Sequence, residues 1–427
     1  MTAQDLKSQI TARPTLSAWL AEYEAIGREF CESLERQGVL FEAYEGCRES
    51  TNKLLERLCT LGARFLNEGL SVSSGFLSSA CRACATDAGS RTFYINLKCP
   101  RNCYYCFNVN QAGWAVHSAN DAPWREQLEA FGSQCDHVSH IGLTGGEPLL
   151  FKGETESFFD MANALYPGAH TRLYTSGFGI DDKCCRMLAK TGLKEIRFSI
   201  KIEDGKSAVE EAFRAIELAK RYIPDVMVEM PVIPGNVERM KQLLVDLDKQ
   251  RVRGINLLEF CFPLHNWPEF AKRGFRVKNP PFEVFYNYGY AGGLPVAESE
   301  RDCLELLLFA IENGLEMGVH YCSLANKNIG QLLMANKAAG LDERLFMIGD
   351  DGFAKVCKVY DCDASVARRK LEMIGAPYAV EEDGCVCFHC EYADAVRATG
   401  AVVATSYNAS ELRNGSWVMR ELKLDVE

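Results

Sequence analysis

The chain has 427 residues, 47% of them hydrophobic and 25% charged, the composition of an ordinary globular protein with apolar mass for a sizeable core. A formal charge of −11 disfavours nucleic acid as the main substrate, and no apolar run reaches the length that spans a bilayer. The N-terminus lacks the charged-then-apolar layout of a secretion signal, so a cytoplasmic location is expected, where the 19 cysteines would not be disulfides and metal binding is the leading use for the clustered ones.

Residues up to about 75 read as helical, with Trp19, Tyr23, Ile26, Phe30 and Leu34, then Leu54, Leu58, Leu61 and Phe65, at steps of three and four. These stripes are packing faces. A Ser/Gly-rich stretch from Ser71 to Ser79 leads to Cys81 and Cys84. From residue 90 the pattern alternates. Strand-like runs fall at Thr92–Leu97, Val138–Thr144, Thr171–Thr175, Glu195–Ile200, Val226–Ile233 and Ile255–Phe262, with helical stretches around 124–134, 153–165, 182–191, 206–222 and 236–249. Strands joined by crossover helices imply a parallel sheet, and even spacing favours a barrel over a doubly wound sheet. Beyond residue 264 the regularity fades. Leu304–Ile311 reads as helix, His320–Ser323 as a short strand, and hairpins are expected at Asp350–Gly352 and near Asp383–Gly384.

The expected fold is therefore α/β: a partial (β/α)6 parallel barrel over 90–339, a helical N-terminal extension over 1–89, and a cysteine-rich C-terminal appendage over 340–427.

The densest chemistry is the loop Cys99-Pro-Arg-Asn-Cys103-Tyr-Tyr-Cys106, directly after the first strand of the alternating pattern. Thiolates this close suit a soft metal centre, and a four-iron cluster held by three cysteines keeps one iron open to a further ligand. In a parallel barrel the loops after the strands form the active face. The second strand ends in Gly145-Gly146-Glu147-Pro148, where glycines admit a ligand to the backbone and a carboxylate accepts from an ammonium.

On these residues, with Tyr105 before the last cysteine, the chain resembles the radical SAM superfamily over residues 90 to about 265. The resemblance implies a four-iron, four-sulfur cluster on Cys99, Cys103 and Cys106. It implies S-adenosylmethionine chelated to the open iron, cleaved by one electron to methionine and a 5′-deoxyadenosyl radical that abstracts hydrogen from substrate. Gly145, Gly146 and Glu147 would hold the methionyl ammonium, Tyr105 would lie by the adenine, and Ser199 is a better candidate than Ser176 for the ribose and carboxylate. An electron donor such as flavodoxin or ferredoxin is implied as a partner.

Eight further cysteines have ligand-like placement: Cys81, Cys84, Cys322, Cys357, Cys362, Cys385, Cys387 and Cys390. Cys385 and Cys387 would face one side of a strand. Their region is similar in part to the auxiliary-cluster appendages called SPASM or twitch domains, which implies one or two auxiliary iron–sulfur clusters; a structural zinc site is the rival. Cys261 ends the sixth strand at the active face, where it could donate a hydrogen atom to a substrate radical or simply pack. His265 reads as a rim residue, and the aromatic segment Phe282–Tyr290 as core or cavity lining. The resemblance points to a peptide or protein substrate, with a small molecule as the alternative. A non-catalytic iron–sulfur electron carrier is the reading from another class, against which the Gly-Gly-Glu-Pro turn argues.

Overall fold

The computed structural model describes residues 9–43, 47–84, 89–110, 113–135, 137–282, 284 and 293–426. Its contacts divide the chain into two units, one of Leu40–Pro280 with Tyr290–Lys327 and one of Met1–Val39, Pro281–Gly289 and Asn328–Glu427. This differs from the expected boundaries at 89 and 339.

The first unit is built on a nine-stranded sheet. Its strands are β1 (Arg64–Leu66), β2 (Ser71–Ser74), β3 (Ser90–Tyr94), β4 (His140–Thr144), β5 (His170–Thr175), β6 (Glu195–Phe198), β7 (Asp225–Val232) and β8 (Gly254–Glu259). Beyond β9 (Cys261–Phe262) and β10 (Leu294–Pro295), which pair with each other outside the sheet, comes β11 (Gly318–Cys322). Strands β3 to β8 lie side by side in chain order and all parallel, as the even spacing implied. The sequence of six is extended by β11, parallel to β8, and by β2, antiparallel to β11. The N-terminal region is thus only partly helical: 14–35 and 47–60 are helices, but 64–66 and 71–74 are strands. The helical spacing of Leu54, Leu58, Leu61 and Phe65 ran past the break at Gly62, whose φ of +81° turns the chain into β1.

Crossover helices cover the sheet with fully buried Phe158, Phe159, Leu188, Ile216 and Leu244 against Ile141, Leu143, Leu173 and Ile196. The inner face is polar instead. Arg197 pairs with Glu195 and, at 2.6 Å, with Glu229. Asn256 donates to Glu229 at 2.7 Å and meets His320 at 3.0 Å. Burial, then the nearby Arg197, pushes the His320 imidazole down to about 4, so it stays neutral at physiological pH.

The second unit holds the helix Pro14–Glu35 and a sheet of β12 (Met347–Ile348), β13 (Ala354–Val359), β14 (Tyr378–Val380), β15 (Val386–Phe388), β16 (Ala404–Arg413) and β17 (Ser416–Val426). Both expected hairpins are present, β12–β13 and β14–β15. The helix Pro14–Glu35 is anchored here: Arg13 pairs with Asp363 at 2.6 Å, and Leu16 packs with Tyr360 and Val402.

Candidate active site

The loop after β3 and the turn after β4 are joined backbone to backbone. Asn96 carbonyl accepts from Gly146 N at 3.0 Å, and Lys98 carbonyl accepts from Glu147 N at 2.8 Å. This contact is possible only without side chains on the turn. A Cβ at Gly146 would stand 1.9 Å from the Lys98 oxygen, and one at Gly145, whose φ is +123°, would stand 2.6 Å from the Asn96 oxygen. The glycines therefore press the turn against the root of the cysteine loop, and Asn108 just beyond that loop donates to the Gly145 carbonyl at 2.7 Å.

Glu147 is buried at 1% exposure. Its carboxylate accepts from Leu149 N (3.2 Å), Thr175 Oγ1 (2.7 Å), Ser176 N (2.7 Å) and Ser176 Oγ (2.6 Å). Those donors occupy both oxygens, so the side chain ties the end of β5 to the turn after β4. Ser176, the weaker candidate from sequence, is thereby part of the site's framework. Ser199 N donates to the Thr175 carbonyl at 2.9 Å, and its hydroxyl accepts from Lys201 Nζ at 2.8 Å. The Lys201 ammonium also lies 5.4 Å from the centre of the Tyr105 ring, whose other contacts are Tyr104 and Phe260.

Cys99, Cys103, Tyr105, Cys106, Gly145, Gly146, Glu147, Ser176, Ser199 and Cys261 all line one cavity of ≈ 310 Å³ within the first unit. It opens at the carboxyl ends of the parallel strands, where such sheets carry their sites. Burial raises the thiols of Cys99 and Cys103, with the Lys201 ammonium opposing it at Cys103. Cys261 is buried, and burial pushes its thiol up to about 12 despite Lys327 nearby, which keeps it as S–H at neutral pH. His265 is exposed, as a rim residue would be. Of the segment 282–290, all but residues 282 and 284 lie outside the described residues.

The outer cysteines do not form one group. Cys81 sits in the first unit, with its sulfur 3.4 Å from Arg197 and 3.2 Å from Asn256. Cys322 ends β11 within electrostatic reach of Cys81 and the exposed Cys84. The other five are in the second unit. Cys385, just before β15, and Cys387 on it have sulfurs 4.0 Å apart, and Glu381 Oε1 lies 3.2 Å from Cys387 Sγ. Among the described residues these three are the group whose ligand atoms converge within 4.8 Å, the spacing for a single ion; a four-iron cube spreads its thiolates more widely. Cys390 leaves its neighbours for the opposite face, where it packs with Cys357, Val386 and Phe388. Period-two alternation explains the split, since 385 and 387 point one way while 386, 388 and the chain leading to 390 go the other. Cys362 stays exposed at a helix start and meets neither pair.

Three charged lining residues carried no signal that sequence reading used. Glu259 ends β8, Lys201 follows β6, and Lys327 follows β11. The position of Glu259 at a strand end could have marked it; Lys327 could not be placed before β11 was known to join the sheet.

Residues 94–247 match the family model described as "Radical SAM superfamily". A relative from Methanocaldococcus jannaschii, described as a "putative glycyl-radical enzyme activating enzyme", is 26% identical over 285 residues, 65% of this chain and 72% of the relative. PqqA peptide cyclase of Methylocella silvestris is 30% identical over 168 residues, 36% of this chain; the match spans less than half of that protein, 43%. Among solved structures, Streptococcus suis SuiB bound to the precursor peptide SuiA is similar with a TM-score of 0.40 and 11% identity, covering 73% of this chain and 62% of that one.

Proposed function

We infer, from a chain whose residues 94–247 match the radical SAM superfamily model, that it is an enzyme that cleaves S-adenosylmethionine reductively and uses the resulting radical on a substrate in the same cavity. The observation that carries this reading is the convergence of three thiols, the Gly145–Glu147 turn and Ser199 on a single cavity at the carboxyl ends of the strands. Cys99, Cys103 and Cys106 would hold a four-iron, four-sulfur cluster; when bound, it supplies the electron that splits the sulfonium.

The protein's own groups position and protect. The carbonyls of the Gly145–Glu147 turn would receive the methionyl ammonium, while the Glu147 carboxylate fixes that turn to β5. Ser199 and Lys201 offer a hydroxyl and an ammonium to the cofactor carboxylate. Tyr105 and Phe260 present aromatic surface for the adenine. Cys261, held as a thiol, can pass its hydrogen atom to a substrate radical: the S–H bond breaks, a C–H bond forms, and one electron from the low-potential donor plus one proton restore the thiol. Flavodoxin or ferredoxin fits that donor.

A peptide substrate is supported by the likeness to PqqA peptide cyclase. A small, charged substrate is favoured by two charged residues lining the cavity: Glu259, whose Oε1 accepts no hydrogen bond, and Lys327. In the second unit we assign Cys385, Cys387 and Glu381 to a metal, with Cys357 and Cys390 as a separate pair. An auxiliary iron–sulfur cluster there remains the family-based reading and a mononuclear ion the geometric one. Replacing Cys385 and Cys387 by serine is expected to lower metal content measured by mass spectrometry. Sulfide lost with iron marks a cluster, zinc alone marks an ion, and unchanged metal removes the assignment.

The test of the main reading is direct. Reduced, anaerobically reconstituted protein given S-adenosylmethionine should release 5′-deoxyadenosine even without substrate; an electron carrier would release none. Cys261→Ala should leave this slow release unchanged while product formation on the true substrate falls at least about tenfold, and equal turnover would reduce Cys261 to a packing residue.

A further inference from the structure

Most charged residues lining the cavity already have partners inside the protein. Arg101 pairs with Asp204 at 2.6 Å, Arg197 with Glu229 at 2.6 Å, Glu147 holds its donors, and Lys201 donates to Ser199. Glu259 and Lys327 differ. Glu259 is 5% exposed and its Oε2 accepts from Leu324 N at 2.7 Å, yet its Oε1 accepts no hydrogen bond. The nearest cation to that oxygen, Lys278 Nζ, stands 3.9 Å away and donates to Glu300 instead. Lys327 enters no hydrogen bond or ion pair among the described residues, although its charge reaches Glu259, Glu229, Cys261 and Cys322. A buried acceptor without a donor is costly.

We propose that this end of the cavity is a substrate subsite for the zwitterionic head of a free α-amino acid, with Lys327 receiving the carboxylate and Glu259 Oε1 the ammonium. The chemistry selects that class. The two protein charges are opposite, near enough to feel each other and not closed into a pair, which leaves room for a ligand carrying both complementary charges. A residue inside a peptide carries neither charge, and a peptide terminus carries one. The Cys261 thiol, two residues from Glu259, lines the same space, so the head group would be held beside a hydrogen-atom donor. Burial raises the Glu259 carboxyl, opposed by Lys278; an arriving ammonium would favour its ionised form.

The proposal rests on reading the cavity as a radical SAM site, and the experiment separates the two. Anaerobically reconstituted protein with saturating S-adenosylmethionine is probed by saturation-transfer NMR with a mixture of the proteinogenic L-amino acids, then with their N-acetyl and carboxamide derivatives. At least one free amino acid should bind, and its blocked derivatives should bind at least about tenfold more weakly, as loss of a charge-assisted contact requires. Lys327→Met and Glu259→Gln should each cause a similar loss, and Lys327→Arg should restore most of the binding. Cofactor affinity and uncoupled 5′-deoxyadenosine release should not change in Lys327→Met. Equal binding of free and blocked forms, no binding of any amino acid, or a fall in cofactor affinity in Lys327→Met would each overturn the subsite. Amino-acid binding that depends on Lys327 in a protein that releases no 5′-deoxyadenosine would support the subsite while rejecting the radical reading.

Discussion

Replacing Cys99, Cys103 and Cys106 together by alanine is expected to remove about four irons per chain and to abolish 5′-deoxyadenosine release. The fold should survive the change. Cys99 is exposed and Cys103 and Cys106 are half-buried, so truncating them opens no core cavity of the kind that costs several kcal/mol. The structural contacts of the loop are made by its backbone and by Asn96, whose side chain accepts from Lys98 N at 2.7 Å. Iron analysis, the thiolate-to-iron absorption in the visible and circular dichroism read the three quantities separately. Iron content equal to that of the parent protein would reject the cluster assignment. Iron and sulfide that persist after the triple replacement belong to the outer cysteines.

The second large effect is expected from one methyl group. Gly146→Ala puts a Cβ 1.9 Å from the Lys98 oxygen and 2.3 Å from its carbonyl carbon. Both are backbone atoms, so no rotamer change relieves the clash, and the turn must part from the cysteine loop. Hydrogen bonds from Gly146 N and Glu147 N across that seam are then lost. Two buried backbone bonds and the displaced turn should cost at least about 3 kcal/mol of stability, and cofactor binding should weaken by about a hundredfold or more. Gly153→Ala is the control. A Cβ there meets nothing within 4 Å, and the position lies in the helix Lys152–Leu165, where alanine is favoured over glycine by up to about 1 kcal/mol. Equal cofactor affinity in the Gly146 and Gly153 variants, measured by equilibrium dialysis, would remove the glycine turn from the binding site.

The role of Glu147 shows how a residue can be found by sequence and yet be understood only from the fold. Its place after two glycines marked it as a partner for an ammonium. The carboxylate instead accepts from Thr175 and Ser176 on the neighbouring strand's end, which assigns it to holding the turn in place. In the proposed function the ammonium would then meet backbone carbonyls, an acceptor role that no side-chain identity announces.

What the sequence determined by itself was everything carried by neighbours in the chain. The six parallel strands, the two hairpins at Asp350–Gly352 and Asp383–Gly384, and the cysteine loop followed by the glycine turn are local patterns: alternation, turn chemistry and ligand spacing. Tertiary structure decided what depended on strand order and face. It brought β11 and β2 into the sheet beside β8, and so placed Lys327 on the same cavity as the cysteine loop. It also parted Cys385 and Cys387 from Cys390, because alternate residues of one strand face opposite layers and each layer packs its own core. Spacing along a chain fixes how far apart two thiols can be; only the sheet between them fixes whether they can meet.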